Sequence, residues 1–172
     1  MDICVGYNVV FQDDLNAIYY LNAKYYAMTR SECQTPYYLS SMANTSICLR
    51  LFLDPVSDKL DGLSARDKCL NDGGWLVRLD TKEKHMALST FLGLNSGSLA
   101  GNNSGLYVGG YRYTDVWMWE PNVPFSYTNW TNGEPTNNTH KTCMKVNEQV
   151  PFEWSSANCT VQRYFICERP VF

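Results

Sequence analysis

Two histidines and a set of acidic residues are the side chains most able to do acid–base chemistry in this chain of 172 residues. His85 lies in a predicted helix and His140 in a polar loop, and neither stands near a serine nucleophile motif. The glycine motifs that bind dinucleotides and phosphates are also absent from the sequence. The acidic residues after Gly93 show no spacing that marks a catalytic pair of carboxylates. We therefore predict that the protein is not an enzyme, with His85 on a helix surface and His140 in a solvated loop.

Seven cysteines form the second group of reactive side chains, at positions 4, 33, 48, 69, 143, 159 and 167. No C-x-x-C or H-x-x-x-H pair is present, and oxidised cysteines do not ligate metals, so no zinc site is predicted. Four of the cysteines cluster at the two ends of the segment 69–167. This pattern favours a disulfide framework and an oxidising compartment.

Five N-x-[ST] sequons also favour an extracellular location, and they begin at Asn44, Asn102, Asn129, Asn137 and Asn158. The first residues lack the basic region and the uninterrupted apolar region of a secretory signal. Either such a signal precedes this sequence, or the chain stays inside the cell. The cysteines and sequons together favour a secreted protein or an ectodomain.

The charge balance argues against two classes of partner. The chain has 14 Lys+Arg and 17 Asp+Glu, for a net charge of −3, with no basic run. Neither nucleic acid nor an anionic membrane surface is therefore a predicted partner. No segment approaches the roughly 20 apolar residues that cross a bilayer, so no membrane span is predicted.

A strand and a helix are predicted before residue 75. Residues 47–55 alternate apolar and polar side chains and read as a strand that Pro55 ends. A first helix over 57–70 is predicted from an apolar stripe and the glycine stop at 73–74. The apolar members of that stripe are Val56, Leu60, Leu63 and Leu70, and Asp67 is its one polar member.

A second helix is predicted over 81–92. Asp80 can cap its N-terminus, and Glu83 would complete a capping box. Its expected buried face consists of Met86, Ala87, Thr90, Phe91 and Leu94.

The second half of the chain is β-rich. Short aromatic and β-branched runs, separated by Gly, Pro and Asn, predict strands within 106–111, 116–120, 142–147, 152–155 and 163–169. Two helices followed by many short strands indicate an α+β domain. Residues 1–32 are rich in tyrosine but show no period, so we interpret them as an extension of unassigned role before a domain over 33–170.

An ordered series of landmarks in this domain resembles the C-type lectin-like domain. The series runs from Cys69 through "GGWL", "YVGG", "NWTNGEP" at 129–135 and Trp154 to the terminal "FICE". The resemblance covers about 33–169. It implies an α+β fold with two helices, small antiparallel sheets, a long loop region and disulfide staples.

The resemblance also implies how the cysteines pair. Cys69 would bond to Cys167, and Cys143 to Cys159. Cys33 and Cys48 resemble the extra pair of the long form of the family. Cys4 is then left over, which in a secreted protein indicates an intermolecular disulfide or a partner cysteine outside this sequence.

Sugar-binding members of the family hold one calcium ion through the loop that contains "NWTNGEP". Five positions of this sequence map onto that ligand set: Glu134, Thr136, Lys141, Ser155 and Ser156. Glu134 alone is a carboxylate, so the resemblance implies that the usual calcium and sugar ligands are largely replaced. We expect no calcium at this position and no other cofactor, and we expect Lys141 to lie near Glu134 as a surface pair. A second E-P-N tripeptide, at 120–122, is interpreted as a coincidence.

These observations predict an extracellular recognition module. It would bind a protein or a glycan through the face formed by residues 93–158, which we call the long-loop face. Its predicted contact residues are Glu134, Thr136, Asn137, Lys141, Ser155 and Ser156. Two alternatives stay open at this point: a calcium-dependent lectin that uses a non-standard site, and an enzyme or structural crosslinker.

Overall fold

The computed structural model describes residues 33–95, 105–149 and 151–171 with their side chains, and a few backbone strands before them. The chain divides into two compact units, Met1–Ser31 and Glu32–Phe172. In the first unit, β1 (Ile3–Cys4) pairs with β4 (Tyr26–Ala27) and β2 (Phe11–Asp13) pairs with β3 (Asn16–Ile18), both antiparallel. The side chain of Cys4 and the sequon at Asn102 lie outside the described residues.

The second unit holds the predicted helices and strands. Its elements in chain order are β5 (Tyr38–Met42), β6 (Thr45–Phe52), α1 (Gly62–Asn71), β7 (Trp75–Leu76), α2 (Lys82–Leu94), β8 (Leu106–Tyr113), β9 (Val116–Trp119), β10 (Val123–Pro124), β11 (Cys143–Val146), β12 (Trp154–Ala157) and β13 (Tyr164–Arg169). The α+β class and the β-rich second half are therefore confirmed.

Among the described residues of this unit, nine strands join in one sheet, with the central order β10-β9-β8-β13-β6-β5. β11 pairs with β8 and β12, and β7 pairs with β13. The sheet is larger than the small sheets expected, and its β8–β13 pair is parallel. The parallel pair places the last strand of the unit beside the first strand of the β-rich half.

Helix α1 begins later than predicted and buries a different face. It starts at Gly62 because the Asp61 carboxylate accepts hydrogen bonds from the Leu63 and Ser64 amides, at 3.1 Å each. Three members of the predicted apolar stripe are exposed, since Leu63 is 65% exposed and Val56 and Leu70 are exposed as well, whereas Leu60 packs against the core just before the helix. The helix instead packs through Gly62, Ala65 and Cys69. A Cβ on Gly62 would lie 2.6 Å from Cys143 Sγ, so small residues are required for this close approach.

Helix α2 also differs from prediction in its cap and its buried face. Thr81 caps the helix by accepting a hydrogen bond from the Lys84 amide at 3.2 Å, while Asp80 lies 3.4 Å from Lys84 Nζ. Met86, Thr90 and Leu94 are exposed. The buried residues of the helix are His85, Ala87, Leu88, Phe91 and Leu92.

Two hydrophobic clusters hold the second unit together. One packs α2 against the sheet and contains the fully buried Trp119 and Trp154. The other packs α1 against β13 around the helix disulfide, Cys69–Cys167. The structure also contains the loop disulfide, Cys143–Cys159, and Cys33–Cys48, so all three pairs agree with those implied by the resemblance. Within the described residues, neither helix is long and apolar enough to cross a bilayer.

Candidate functional site

Three of the predicted contact residues are joined by hydrogen bonds, and a fourth lies beside them as an ion-pair partner. We call these four residues the Glu134 cluster: Glu134, Thr136, Ser156 and the ion-pair partner Lys141. Glu134 Oε2 accepts hydrogen bonds from the Thr136 amide at 3.1 Å and the Ser156 amide at 2.9 Å. The Ser156 hydroxyl also donates to this oxygen. The Thr136 and Ser156 hydroxyl oxygens lie 3.1 Å apart, and the cluster thereby joins the loop to β12.

Strand pairing and turns bring these residues together. Ser156 pairs with Met144 across the β11–β12 ladder, so its position depends on the sheet. Trp130 forms a bridge with Trp154 just before the loop turns. The turn itself is closed by the Glu134 amide, which donates to the Thr131 carbonyl at 2.9 Å. The Glu134 carboxylate therefore points at β12 from a loop whose base is tied to the same strand.

The Glu134 carboxyl is held in its ionised form. Burial raises its pKa, because the side chain is only 15% exposed, but the hydrogen bonds from Ser156 and Thr136 and the nearby Lys141 charge lower it. The lowering contributions prevail, and the pKa of Glu134 lies below its ordinary value.

Lys141 Nζ lies 4.0 Å from Glu134 Oε1, which confirms the predicted proximity of the two side chains.

The donor atoms of the Glu134 cluster are a poor match for calcium, which takes six to eight oxygens and gains affinity from carboxylate charge. One carboxylate, neutral hydroxyls and an ammonium group are present instead. Among the described residues, no group of three or more His, Cys, Asp or Glu side chains is arranged to hold a metal ion.

The six predicted contact residues differ in their access to solvent. Asn137 is exposed and Lys141 is 36% exposed, whereas Ser156 is 3% exposed and Ser155 is 9% exposed. Ser155 lies outside the cluster, and its hydroxyl donates to Asn147 Oδ1 at 3.2 Å. Residues 137–140 are all exposed and form the outer surface of the loop. The structure therefore separates an outer polar surface from an inner supporting layer.

The side chain of Asn147 belongs to this supporting layer but was not predicted. Besides accepting from Ser155, it donates through Nδ2 to Thr131 Oγ1 at 2.9 Å. It thus connects β12 to the start of the loop. Its place at the end of the predicted strand that contains Cys143 could have indicated this role, because asparagine side chains often hydrogen-bond neighbouring backbone groups.

The prediction that His85 lies on a helix surface is wrong. His85 is 6% exposed, and its Nδ1 accepts a hydrogen bond from Trp154 Nε1 at 3.2 Å. Its Nε2 lies 3.2 Å from Asn129 Nδ2. Burial lowers the pKa of His85 below its ordinary value. The helical spacing of His85 with Leu88 and Leu92 was the signal for burial in the sequence, because the three residues share one helix face.

The described sequons differ in exposure. Asn44 and Asn137 are exposed, while Asn129 and Asn158 are partly buried. Asn129 contacts His85 as described, and Asn158 Oδ1 accepts hydrogen bonds from the Thr160 amide and hydroxyl at 3.0 Å each. Occupancy of all five sequons stays a prediction. His140 is exposed, as predicted for a loop residue.

Comparison with known proteins places this site in a family context. Residues 61–169 match the family described as the Lectin C-type domain. The chain is 28% identical over 110 residues to the C-type lectin lectoxin-Lio1 of Erythrolamprus poecilogyrus, a match over 56% of this chain and 59% of the relative. The match therefore spans about three fifths of the length of that relative.

Solved structures show the same fold at low sequence identity. Human lithostathine has a TM-score of 0.66 at 20% identity, covering 86% of this chain and 98% of its own. The mouse scavenger receptor C-type lectin carbohydrate-recognition domain has a TM-score of 0.64 at 18% identity, covering 82% of this chain and 100% of its own.

Proposed function

We propose, from the premise that this chain belongs to the Lectin C-type domain family, that it is an extracellular recognition module. It binds a protein or a glycan through its long-loop face. It does so without calcium at the position that its sugar-binding relatives use. Catalysis is not part of this proposal, since His85 is buried against Trp154 and His140 lies in the exposed loop.

The internal use of Glu134 is the observation that supports this proposal. A carboxylate oxygen that accepts three protein hydrogen bonds has little remaining capacity for a metal ion or a sugar hydroxyl. Lys141 adds a positive charge 4.0 Å from the other oxygen. The cluster then serves as a scaffold that holds the outer loop, and loops on rigid scaffolds commonly make ligand contacts.

Solvent access assigns different roles to the predicted contact residues. Asn137 and Lys141 are the members placed to touch a ligand, together with the exposed residues around them. Glu134, Thr136, Ser155 and Ser156 are proposed to position that surface from below. A glycan on Asn137 would cover part of this surface, so occupancy of that sequon would regulate access.

An extracellular location fits the covalent features of the domain. Three disulfides staple the described residues, and such bonds persist in oxidising compartments. Two of the described sequons, at Asn44 and Asn137, lie at exposed positions where glycans can project into solvent. An intermolecular disulfide through Cys4 remains part of the proposal for assembly.

A panel of immobilised glycans and cell-surface proteins, screened with calcium and with chelator, tests this proposal. Binding should persist in chelator, and Lys141→Glu should weaken it by about tenfold if the outer surface makes the contact. Lys68→Glu, an equal charge reversal on the exposed side of α1, is the matched control. If Lys68→Glu abolishes binding and Lys141→Glu leaves it unchanged, the long-loop face is the wrong surface.

Thermal unfolding tests the calcium component separately. A ligand at 100 times its Kd stabilises the folded state by about 2.7 kcal/mol, which is several degrees in this size range. We expect the same melting temperature in millimolar calcium and in chelator. A reproducible rise with calcium that Glu134→Gln abolishes would contradict the proposal.

The alternative is a calcium-dependent carbohydrate-binding lectin that uses a non-standard site. The family match and the likeness to a snake C-type lectin favour this alternative. It requires glycan binding that chelator removes and that Glu134→Gln leaves unchanged. The same panel therefore distinguishes the two candidates.

A further inference from the structure

A pocket with a volume of about 500 Å³ lies beside helix α1, and none of its lining residues belongs to the Glu134 cluster. We call it the Arg78 pocket. Arg66 comes from α1, Trp75 from β7, Tyr111 from β8, and Glu120 and Asn122 from the turn after β9. This volume lies within the range of about 300–1,000 Å³ that is usual for small-ligand sites.

The charges in this pocket leave one cation without a carboxylate partner. Arg66 Nε lies 2.6 Å from Glu120 Oε1, so these two charges offset one another. Arg78 has no ion pair within the part of the chain that the structure describes, and its Nη1 lies 3.3 Å from the Glu120 carbonyl oxygen. Counted over the lining residues alone, two guanidinium groups and one carboxylate leave a single excess positive charge. Outside the lining, the exposed Asp67 carboxylate lies 3.8 Å from Arg66 Nη1 and therefore offsets Arg66, not Arg78.

Three buried donor atoms of the lining residues have no hydrogen-bond partner among the described residues, and one of them, Arg66 Nε, has its ion-pair contact with Glu120 instead. Arg78 Nε and Trp75 Nε1 are both buried and unpaired. Buried polar groups in folded proteins are nearly always paired, so each of these requires an explanation. The Tyr111 hydroxyl does have a partner, because it donates to Asn122 Oδ1.

Aromatic surface surrounds the unpaired cation. The Arg78 guanidinium carbon lies 5.2 Å from the centre of the Trp75 ring, a cation–π contact that orients the guanidinium. Trp75 and Tyr111 also supply flat walls against which a ring can pack. An arginine that lacks a carboxylate partner and lies beside aromatic walls is a usual setting for a carboxylate attached to a ring.

We propose that the Arg78 pocket binds a ring-sized monoanion, with its carboxylate on Arg78 and its ring against Trp75 and Tyr111. Glu120 gives this pocket its preference for a single charge, because a second anionic group would face that carboxylate. The Glu120–Pro121–Asn122 tripeptide, which has no calcium role in our interpretation of the sequence, forms the rim of this site. The ring can belong to a free aromatic acid or to a terminal acidic sugar, since both carry a carboxylate attached to a ring.

Calorimetric titration of the full chain with benzoate and with benzamide tests the charge requirement. The two probes have nearly the same shape, and only benzoate has the negative charge. Benzoate should bind about tenfold more tightly than benzamide if the charge-assisted contact exists. Equal affinity of the two probes, or no saturable binding of benzoate and glucuronate, would overturn the proposal.

Two variants and a control assign the contact to Arg78. Arg78→Gln should weaken benzoate binding by about tenfold, while Arg78→Lys keeps the charge and should lose only severalfold because its donors are not planar. Lys68→Gln removes an equal charge from the exposed side of α1 and should change the affinity by less than about twofold. Loss of benzoate binding in Lys68→Gln to the same extent as in Arg78→Gln would contradict the assignment.

Glucuronate distinguishes the two sources of the ring. Tighter binding of glucuronate than of benzoate indicates an acidic sugar, and the reverse indicates a free aromatic acid. If Arg78→Gln lowers the melting temperature, its loss of benzoate binding can come from unfolding. In that case the affinity of Arg78→Lys for benzoate, and the comparison of benzoate with benzamide on the unaltered chain, decide whether Arg78 binds the carboxylate. The titration does not depend on Asn137, Lys141 or the rest of the Glu134 cluster, so its failure and the failure of the proposed function are separate results.

Discussion

Replacing Glu134 with glutamine should destabilise the domain measurably at neutral pH. The carboxylate accepts two backbone hydrogen bonds and one hydroxyl hydrogen bond on Oε2. A hydrogen bond to a charged group contributes about 1.5–3 kcal/mol, and one between neutral groups about 1 kcal/mol. Three independent contacts would thus lose about 1.5–6 kcal/mol in total, and because contacts on one atom are not additive we expect a loss near the lower end, about 2 kcal/mol.

The pH dependence of this loss identifies its cause. The pKa of Glu134 in the folded state is below its ordinary value of 4.5. A depressed carboxyl pKa stabilises the folded state above pH 4.5, and this contribution disappears as the pH falls through the folded-state value. The difference between Glu134→Gln and the unaltered protein should therefore be full at pH 7 and should narrow below about pH 4.5.

Urea unfolding at a series of pH values, with melting temperatures at pH 7, measures the effect. A loss of about 2 kcal/mol corresponds to a fall of about 4–8 °C in a domain of this size. Glu83→Gln is the control, since Glu83 is exposed in the first turn of α2 and should cost below about 1 kcal/mol. A loss at Glu134 no greater than that at Glu83, or one that stays constant from pH 7 to pH 3, would refute the reasoning.

Three further predictions follow from the described contacts. The free energy of unfolding should fall as the pH is lowered from about 7 to about 5, because His85 takes up a proton in the unfolded chain but not in its buried position in the folded state. In urea titrations, His85→Gln should make the free energy of unfolding depend less on pH over this range. Gly62→Ala should lower the free energy of unfolding by about 1–3 kcal/mol, because the added Cβ would meet the loop disulfide. Gly93→Ala, which has no atom near the added Cβ, should raise it by about 0.5–1 kcal/mol, and equal effects of the two variants in thermal unfolding would contradict this packing. Replacing both cysteines of the helix disulfide by alanine should lower the free energy of unfolding by about 4.7 kcal/mol, and the same change at the loop disulfide by about 3 kcal/mol, since the two bonds join residues 98 and 16 positions apart. A larger loss at the loop disulfide in denaturant unfolding would contradict the chain-entropy account.

The family and the three disulfides were predictable because they depend on landmarks that are short in sequence. "GGWL", "NWTNGEP" and "FICE" occur around the cysteines in a fixed order, and the family resemblance based on that order implied which cysteines pair. The strands of the second half were also predictable, because aromatic and β-branched runs between Gly, Pro and Asn favour the extended backbone whatever packs on it.

The helix faces were less predictable because burial depends on the neighbouring element. Leu63 and Leu70 have the apolar chemistry of core residues, yet α1 turns Gly62 inward against the loop disulfide and Ala65 into the cluster around the helix disulfide. Hydrophobicity predicts that an apolar side chain gains by burial, but the distance between two backbones decides which side chain fits.

The sequence by itself determined which ionisable groups the loop contains: Glu134, Lys141 and no second carboxylate among the mapped positions. The tertiary structure decided what those groups do. It brought the Ser156 amide and hydroxyl to the Glu134 carboxylate from a strand 22 residues further along the chain. It also buried His85 against Trp154, 69 residues away. Hydrogen bonds act over about 3 Å, so partners this distant in sequence are determined by how the strands and helices pack and are not visible in local patterns.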